Sequence, residues 1–358
     1  MPASPAPRGL THRWLCRALS PLADRALLRV DVPAGEHDCE RLFSLGGANL
    51  VLPRLYQVLR ESGLLARFPD DFSQALEGFD ALHGWRVEQL QRQMREVTAL
   101  LNRHGVVPVW LKGATGLLEA SGPPSSRMML DLDFWIPDPA QHQTVLEALT
   151  QAGYRMPEGS VEYELGSSHH FVPRFRDGEA ARLEIHHHLV ALPARPLLDD
   201  ESALPAVEWL DWEGLKIGRL CALDRLRHSY IQCTEMNSQS LERGKISLMK
   251  ALDFLERYLA ASHEDRASFL KALEGERWRS AARRFFSFLD GYFGLASPVG
   301  VDRGYLRRVA FEVNHPQAAY LGFLVVHAGR VLRSGRAGHW STWWPKLAQH
   351  LKLMGSLA

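Results

Sequence analysis

No run of about 18 uninterrupted apolar residues occurs in the chain, and the first thirty residues, although they contain arginines, lack the long apolar stretch of a secretory leader. A membrane-spanning helix is therefore not expected. Cysteine is scarce as well: Cys16, Cys39, Cys221 and Cys233 lie far apart and form no CxxC pair. That spacing excludes a disulfide scaffold and a cysteine-rich zinc site, and it reads as free thiols in a reducing, cytoplasmic setting. An excess of one charge is missing too. Lys and Arg total 42 against 41 Asp and Glu, a formal net charge of +1, so nothing global argues for a duplex nucleic-acid partner. No internal repeat or low-complexity tract is present.

What the chain does have is material for a core. Its 358 residues are 46% hydrophobic, enough for one large domain or two to three smaller ones. After an irregular, proline-rich start, residues from about 40 to 105 read as helices. The clearest pattern is Val87, Leu90, Met94, Val97 and Leu101, which step by three and four until Gly105 ends the helix. Residues 106–111 then form a short apolar strand pattern closed by Lys112-Gly113. A short helix through Leu117, Leu118 and Glu119 should follow, stopped by Gly122-Pro123-Pro124.

The next expected elements are a strand over 129–136, a helix over 141–152, and two strands over 169–175 and 182–189 joined by an Asp177-Gly178 turn. Residues 207–210 and 215–217 read as a further hairpin, unless the tryptophans there are loop anchors. From Asp224 onward the apolar spacing is helical, with Ile246, Met249, Leu252 and Tyr258 recurring. This order predicts an α+β fold, a small mixed sheet with helices on one side. The expected organisation is a mainly helical region over 1–105, a mixed α/β module over 106–220 and a helical domain over 221–358.

Chemistry concentrates in the second strand of that module. Asp131 and Asp133 are separated by one residue in an apolar strand pattern, so both carboxylates project from one face. Their charges repel unless a cation or basic group lies between them. Magnesium bound partly by phosphate oxygens is the economical solution, and a nearby glycine turn is a natural phosphate site. A lone DxD is weak, and on its own it reads as a solvated strand edge. Here a strand-ending Lys112-Gly113 precedes it, and a further acid, Glu184, follows in strand context.

Three segments, Leu111-Lys112-Gly113, Arg127 through Asp133, and Glu184-Ile185-His186, together resemble the nucleotidyltransferase superfamily with its polymerase-beta-like fold. The closest resemblance is to a bacterial branch with LKG, RxxxDhD and EhH motifs, where h is apolar, and it covers roughly residues 107–190. The resemblance implies transfer of a nucleoside monophosphate from an NTP such as ATP to a hydroxyl acceptor. Asp131, Asp133 and Glu184 would hold Mg²⁺, or Mn²⁺, and Glu184 would also take the acceptor's proton. Lys112, Gly113, Ala114, Ser126 and Arg127 would contact the nucleotide phosphates. Ala114 departs from the broader superfamily, whose glycine is usually followed by glycine or serine. Thr115, Ser125 or Ser126 could supply the missing hydroxyl.

Histidines cluster in the same region, His169-His170 and His186-His187-His188. Adjacent residues of a strand point in opposite directions, so no metal site can use the whole run. His186 beside Glu184, and His170 across the turn, are the members expected to orient the carboxylate or touch the substrate. Arg243, Lys245, Lys250 and Asp253 lie on a helical segment that could border the cleft, or simply form a solvated face. Arg330, Arg333 and Arg336 precede Trp340, Trp343 and Trp344, a mixture that binds nucleic acid or membrane surface in some proteins and packs as core anchors in others. Two further classes fit the same motifs: a kinase-like enzyme that moves the terminal phosphoryl group, and a binding protein without turnover. Oligomeric state is left open by the sequence.

Overall fold

The computed structural model describes residues 8–118, 126–162, 168–235 and 238–319. The Arg330 to Trp344 segment lies outside them, as do Glu119 and Ser125. Helices dominate the described residues. An N-terminal group comprises α1 (Arg8–Leu19), α2 (Glu36–Ala48), α3 (Leu52–Glu61) and the long α4 (Asp70–Arg103). Then come β1 (Val109–Trp110), α5 (Ala114–Leu118), β2 (Asp131–Trp135), α6 (His142–Gln151), β3 (Arg182–His186), α7 (Asp200–Ala203), β4 (Glu208–Trp212) and β5 (Leu215–Arg219). The chain continues with α8 (Ala222–Cys233), α9 (Ser238–Arg243), α10 (Leu248–Ala260), α11 (His263–Ala272), α12 (Glu276–Phe288) and α13 (Arg303–Asn314). Among the described residues, no helix is long and apolar enough to cross a membrane.

The five strands form one mixed sheet in the order β3-β2-β1-β5-β4. β2 runs parallel to β3 and antiparallel to β1, while β1 runs parallel to β5, which pairs with β4 as a hairpin. The hairpin turns through Glu213 and Gly214, both at positive φ, the conformation a two-residue turn needs to follow strand twist. The expected strand over 169–175 is reduced to isolated bridges, His170 to His186 and Arg174 to Leu183. Pro173 has no N–H, and the amide of Val172 donates to the Glu162 carboxylate instead of a neighbouring strand.

Strand alternation divides the sheet's two faces. Trp110, Leu132, Phe134, Leu183 and Ile185 pack with Leu90, Met94 and Val97 of α4 and Val145 and Leu149 of α6. The five residues whose spacing marks α4 as amphipathic all belong to this core. Val109, Leu111 and Trp135 point the other way, into a second core built with α1, α3, α8, α10 and α12. The sheet is thus covered on both faces rather than one. The second core also joins elements from the two ends of the sequence, since Leu15 and Leu55 share it with Phe254, Phe285 and Phe293.

An aromatic nest stiffens the second core. Phe254 lies 4.9 Å from Phe285 edge-on and 5.8 Å from Phe269, with Tyr230 5.8 Å from Phe285. Phe285 is fully buried, so Phe285→Ala removes both transfer energy and packing partners. The expected loss is about 3–5 kcal/mol of unfolding free energy, measurable by denaturant titration.

Candidate active site

The polar face of β2 and β3 carries the candidate site. Parallel pairing sets Asp131 opposite Arg182, Asp133 opposite Glu184 and Trp135 opposite His186, all on the face turned toward the second core. Register therefore brings Asp133 and Glu184 side by side, although 50 residues separate them in sequence. Asp133 is buried, whereas Asp131 at the start of β2 is partly open.

Between Asp133 and Glu184 sits the ammonium of Lys112. It donates to Asp133 Oδ1 and lies 3.5 Å from Glu184 Oε2. Lys112 reaches this position from a left-handed backbone with φ of 49°, on the turn that leaves β1. Such a conformation is disfavoured for an L side chain and persists where its surroundings hold it. Here the Lys112 carbonyl accepts from Thr115 Oγ1 at 2.8 Å and from Arg257 Nη2 at 3.1 Å.

His186, completely buried, donates through Nε2 to Asp133 Oδ1 at 3.0 Å. A carboxylate can only accept, so this bond assigns the proton to Nε2. Burial and the Lys112 charge hold the imidazole below its ordinary pKa, and so neutral, against the opposing pull of Asp133. His169 is likewise buried, pulled down to about 2 chiefly by burial, with its ring 5.1 Å from that of His186. His170 bonds through Nδ1 to the Phe171 carbonyl at 2.8 Å, and its ring is 5.6 Å from His186.

The carboxylates respond differently to this setting. Burial works to raise Asp133, but Lys112 and the His186 hydrogen bond overcome it and keep Asp133 well below the usual carboxylate range. Burial and the adjacent Asp133 charge push Glu184 up to about 7, with Lys112 opposing. Burial disfavours the Lys112 ammonium, yet Asp133 and Glu184 hold it above the ordinary lysine value.

Asp133, Glu184 and His186 offer three ligand atoms within 4.8 Å of one another, a group able to hold a metal ion. Asp131 stands beside this group, with Oδ2 3.4 Å from an Arg182 nitrogen that also lies 3.5 Å from Glu184 Oε1. The two carboxylates suit a divalent cation, with His186 engaged as a donor to Asp133, and the bridging Lys112 Nζ marks where positive charge is wanted.

A cavity of about 440 Å³ opens at Lys112 and Gly113, and Ser126, Arg127, Arg225 and Arg257 line it. Arg127 donates through Nε to Asp253 Oδ2 at 2.7 Å, across 126 residues. This contact explains Gly113: a Cβ there would stand 2.6 Å from Arg127 Cζ, so the guanidinium lies on a bare backbone. Ala114, by contrast, turns its methyl into the sheet core. Thr115 spends its hydroxyl on the Lys112 carbonyl, while Ser126 remains at the cavity wall.

The chain matches the family described as Uncharacterised nucleotidyltransferase over residues 35–294. It belongs to that nucleotidyltransferase family. The match includes the sheet, the carboxylate cluster and the helices through α12, so the surrounding helical body is part of the family's shared unit. No curated protein and no solved structure matches the chain.

Several residues around this candidate site carry no sequence motif. Arg225, Asp253 and Arg257 come from α8 and α10, and His228 is buried on α8, where its environment includes Lys112, His186 and Asp133. Asp224, His228 and Gln232 recur every four residues and are buried on α8, but Arg225, Arg227 and Ser229 are interleaved with them, so the spacing alone does not mark a buried polar stripe. Asp253, one of four residues that could equally have formed a solvated face, is the partner of Arg127.

Proposed function

We propose that the protein moves a nucleoside monophosphate from an NTP, ATP being the simplest case, to a hydroxyl on a small molecule, sugar, peptide or protein. The observation that carries this reading is the placement of Asp133 and Glu184 side by side around one positive charge, next to a cavity walled by Lys112, Arg127, Arg225 and Arg257. Asp133 and Glu184, joined by Asp131 at the open end of β2, would hold Mg²⁺ or Mn²⁺. His186 and its hydrogen bond would keep the Asp133 carboxylate oriented. When bound, the ion supplies neutralisation of phosphate charge.

The remaining roles fall to the chain's own groups. Arg127 offers a planar fork to phosphate oxygens, and Asp253 fixes that fork from behind. Lys112, a flexible point charge, is within reach of both the carboxylates and the cavity. The acceptor oxygen forms its bond to the α-phosphorus while the bond to the pyrophosphate oxygen breaks. The hydroxyl proton passes to Glu184, and pyrophosphate leaves.

The test is incubation with ATP, GTP, CTP or UTP, Mg²⁺ and hydroxyl acceptors, followed by mass spectrometry of the products. Pyrophosphate and a nucleotidylated acceptor are expected, and chelation of the divalent cation should abolish both. A nucleoside diphosphate with a phosphorylated acceptor would convert the reading to a kinase. Absence of Mg²⁺-dependent nucleotide binding would overturn both forms of transfer.

A further inference from the structure

A second cavity, of about 640 Å³, lies where α1, α2, α8, α10 and α13 meet. Its volume falls within the range of small-molecule sites. Five cationic side chains line it, Arg8, Arg41, Arg243, Lys245 and Lys250, against one carboxylate, Glu312. Two of the five are neutralised: Arg243 pairs with Glu312 at 2.7 Å and Arg41 with Asp38 at 3.7 Å. Arg8, Lys245 and Lys250 have no carboxylate within ion-pair distance among the described residues.

Lys250 is the informative member. It is half-buried, and burial holds its ammonium below the ordinary lysine range. A desolvated cation without a paired carboxylate is unfavourable unless something else supplies negative charge. Its electrostatic neighbours include Asp131, Lys112 and Arg127, which ties it to the nucleotidyltransferase site. The two cavities also share a wall. Lys250 of α10 faces this one, while Asp253 and Arg257, one and two turns along the same helix, face the cavity at Lys112. Among the described residues the lining contains little to stack a nucleobase, with Phe288 and His12 as its only aromatic rings and many ionic groups.

We propose that this cavity is the acceptor site, and that the acceptor carries an anionic group, phosphate or carboxylate, which docks against Lys250, Lys245 and Arg8 while its hydroxyl faces the Asp131 end of β2. The proposal rests on the nucleotidyl-transfer reading and narrows its acceptor to anionic hydroxyl compounds. A neutral sugar or alcohol would leave the half-buried Lys250 without a counter-charge.

The experiment uses the full chain saturated with Mg²⁺ and a non-hydrolysable ATP analogue, titrated with inorganic phosphate and, separately, with acetate at constant ionic strength. Binding is read by calorimetry and melting temperature. At least one anion is expected to bind beyond a chloride control, and which one binds assigns the acceptor to the phosphate or carboxylate class. Lys250→Met should weaken that binding about tenfold or more, with the affinity for the ATP analogue unchanged. Lys245→Ala, at an exposed position where folding is not at risk, should weaken it in the same direction. Binding of neither anion overturns the proposal, as does anion binding indifferent to both variants, or an equal loss of analogue affinity in Lys250→Met. Anion binding in a chain that fails to bind the analogue would sink the nucleotidyl-transfer reading while leaving an anion site at Lys250.

Discussion

Asp133→Asn is expected to lower kcat/KM for nucleotidyl transfer by about 10³-fold or more, the largest effect of any single substitution in the site. Asparagine has nearly the same shape but no charge, and Asp133 is the residue on which the other groups converge. It accepts from Lys112 Nζ and from His186 Nε2, and it stands opposite Glu184 in the β2–β3 register. In the variant Lys112 retains Glu184 as its remaining partner, so the ammonium stays but no longer bridges two carboxylates. The substitution also removes one partner of a buried ion pair. A stability loss of about 3 kcal/mol should accompany the kinetic defect. Steady-state kinetics of the folded fraction, with denaturant titration alongside, separates the two contributions. Activity retained within tenfold of the parent would remove Asp133 from the mechanism.

Gly113→Ala should behave in the opposite way, with stability nearly intact and activity reduced by about 10²-fold. The three atoms nearest the added methyl all belong to the end of the Arg127 side chain. Arginine is long and flexible, so the clash is relieved when the guanidinium swings aside. The melting temperature should move little. Swinging aside, however, breaks the 2.7 Å bond from Arg127 Nε to Asp253 and misplaces the fork that wall presents to phosphate. Kinetics on Gly113→Ala, Asp253→Asn and the double variant tests the coupling. Their effects should be strongly sub-additive, because each acts through the position of Arg127. Full additivity would show that Gly113 serves another purpose.

Local pattern made much of this molecule readable. The 3–4 spacing from Val87 to Leu101 corresponds to a helix face buried on the sheet, and the alternation around Asp131 and Asp133 corresponds to a strand with an apolar face and an acidic one. These features depend on neighbours close in sequence, where side-chain direction follows directly from helix or strand geometry. The segment over 169–175 shows where such reading stops. Its composition is strand-like, but Pro173 removes a donor and the Val172 amide is taken by Glu162, so only isolated bridges form. The site divides along similar lines. Lys112, Gly113, Asp131, Asp133, Glu184 and His186 lie in or beside short strand motifs. Arg225, His228, Asp253 and Arg257 sit on helices, where a polar residue at a buried position looks the same in sequence as one at the surface.

By itself, then, the sequence determined the amphipathic helices, the strands with their acidic face, and the family to which those strands belong, because each is encoded by periodicity or by residues a few positions apart. The tertiary structure decided what periodicity leaves open: the register that sets Asp133 beside Glu184, the second core that joins α1 and α3 to α8, α10 and α12, and the pairing of Arg127 with Asp253. Those depend on contacts between segments tens to hundreds of residues apart. Which partners meet there is settled by how the buried faces pack, and a one-dimensional pattern carries no record of that choice.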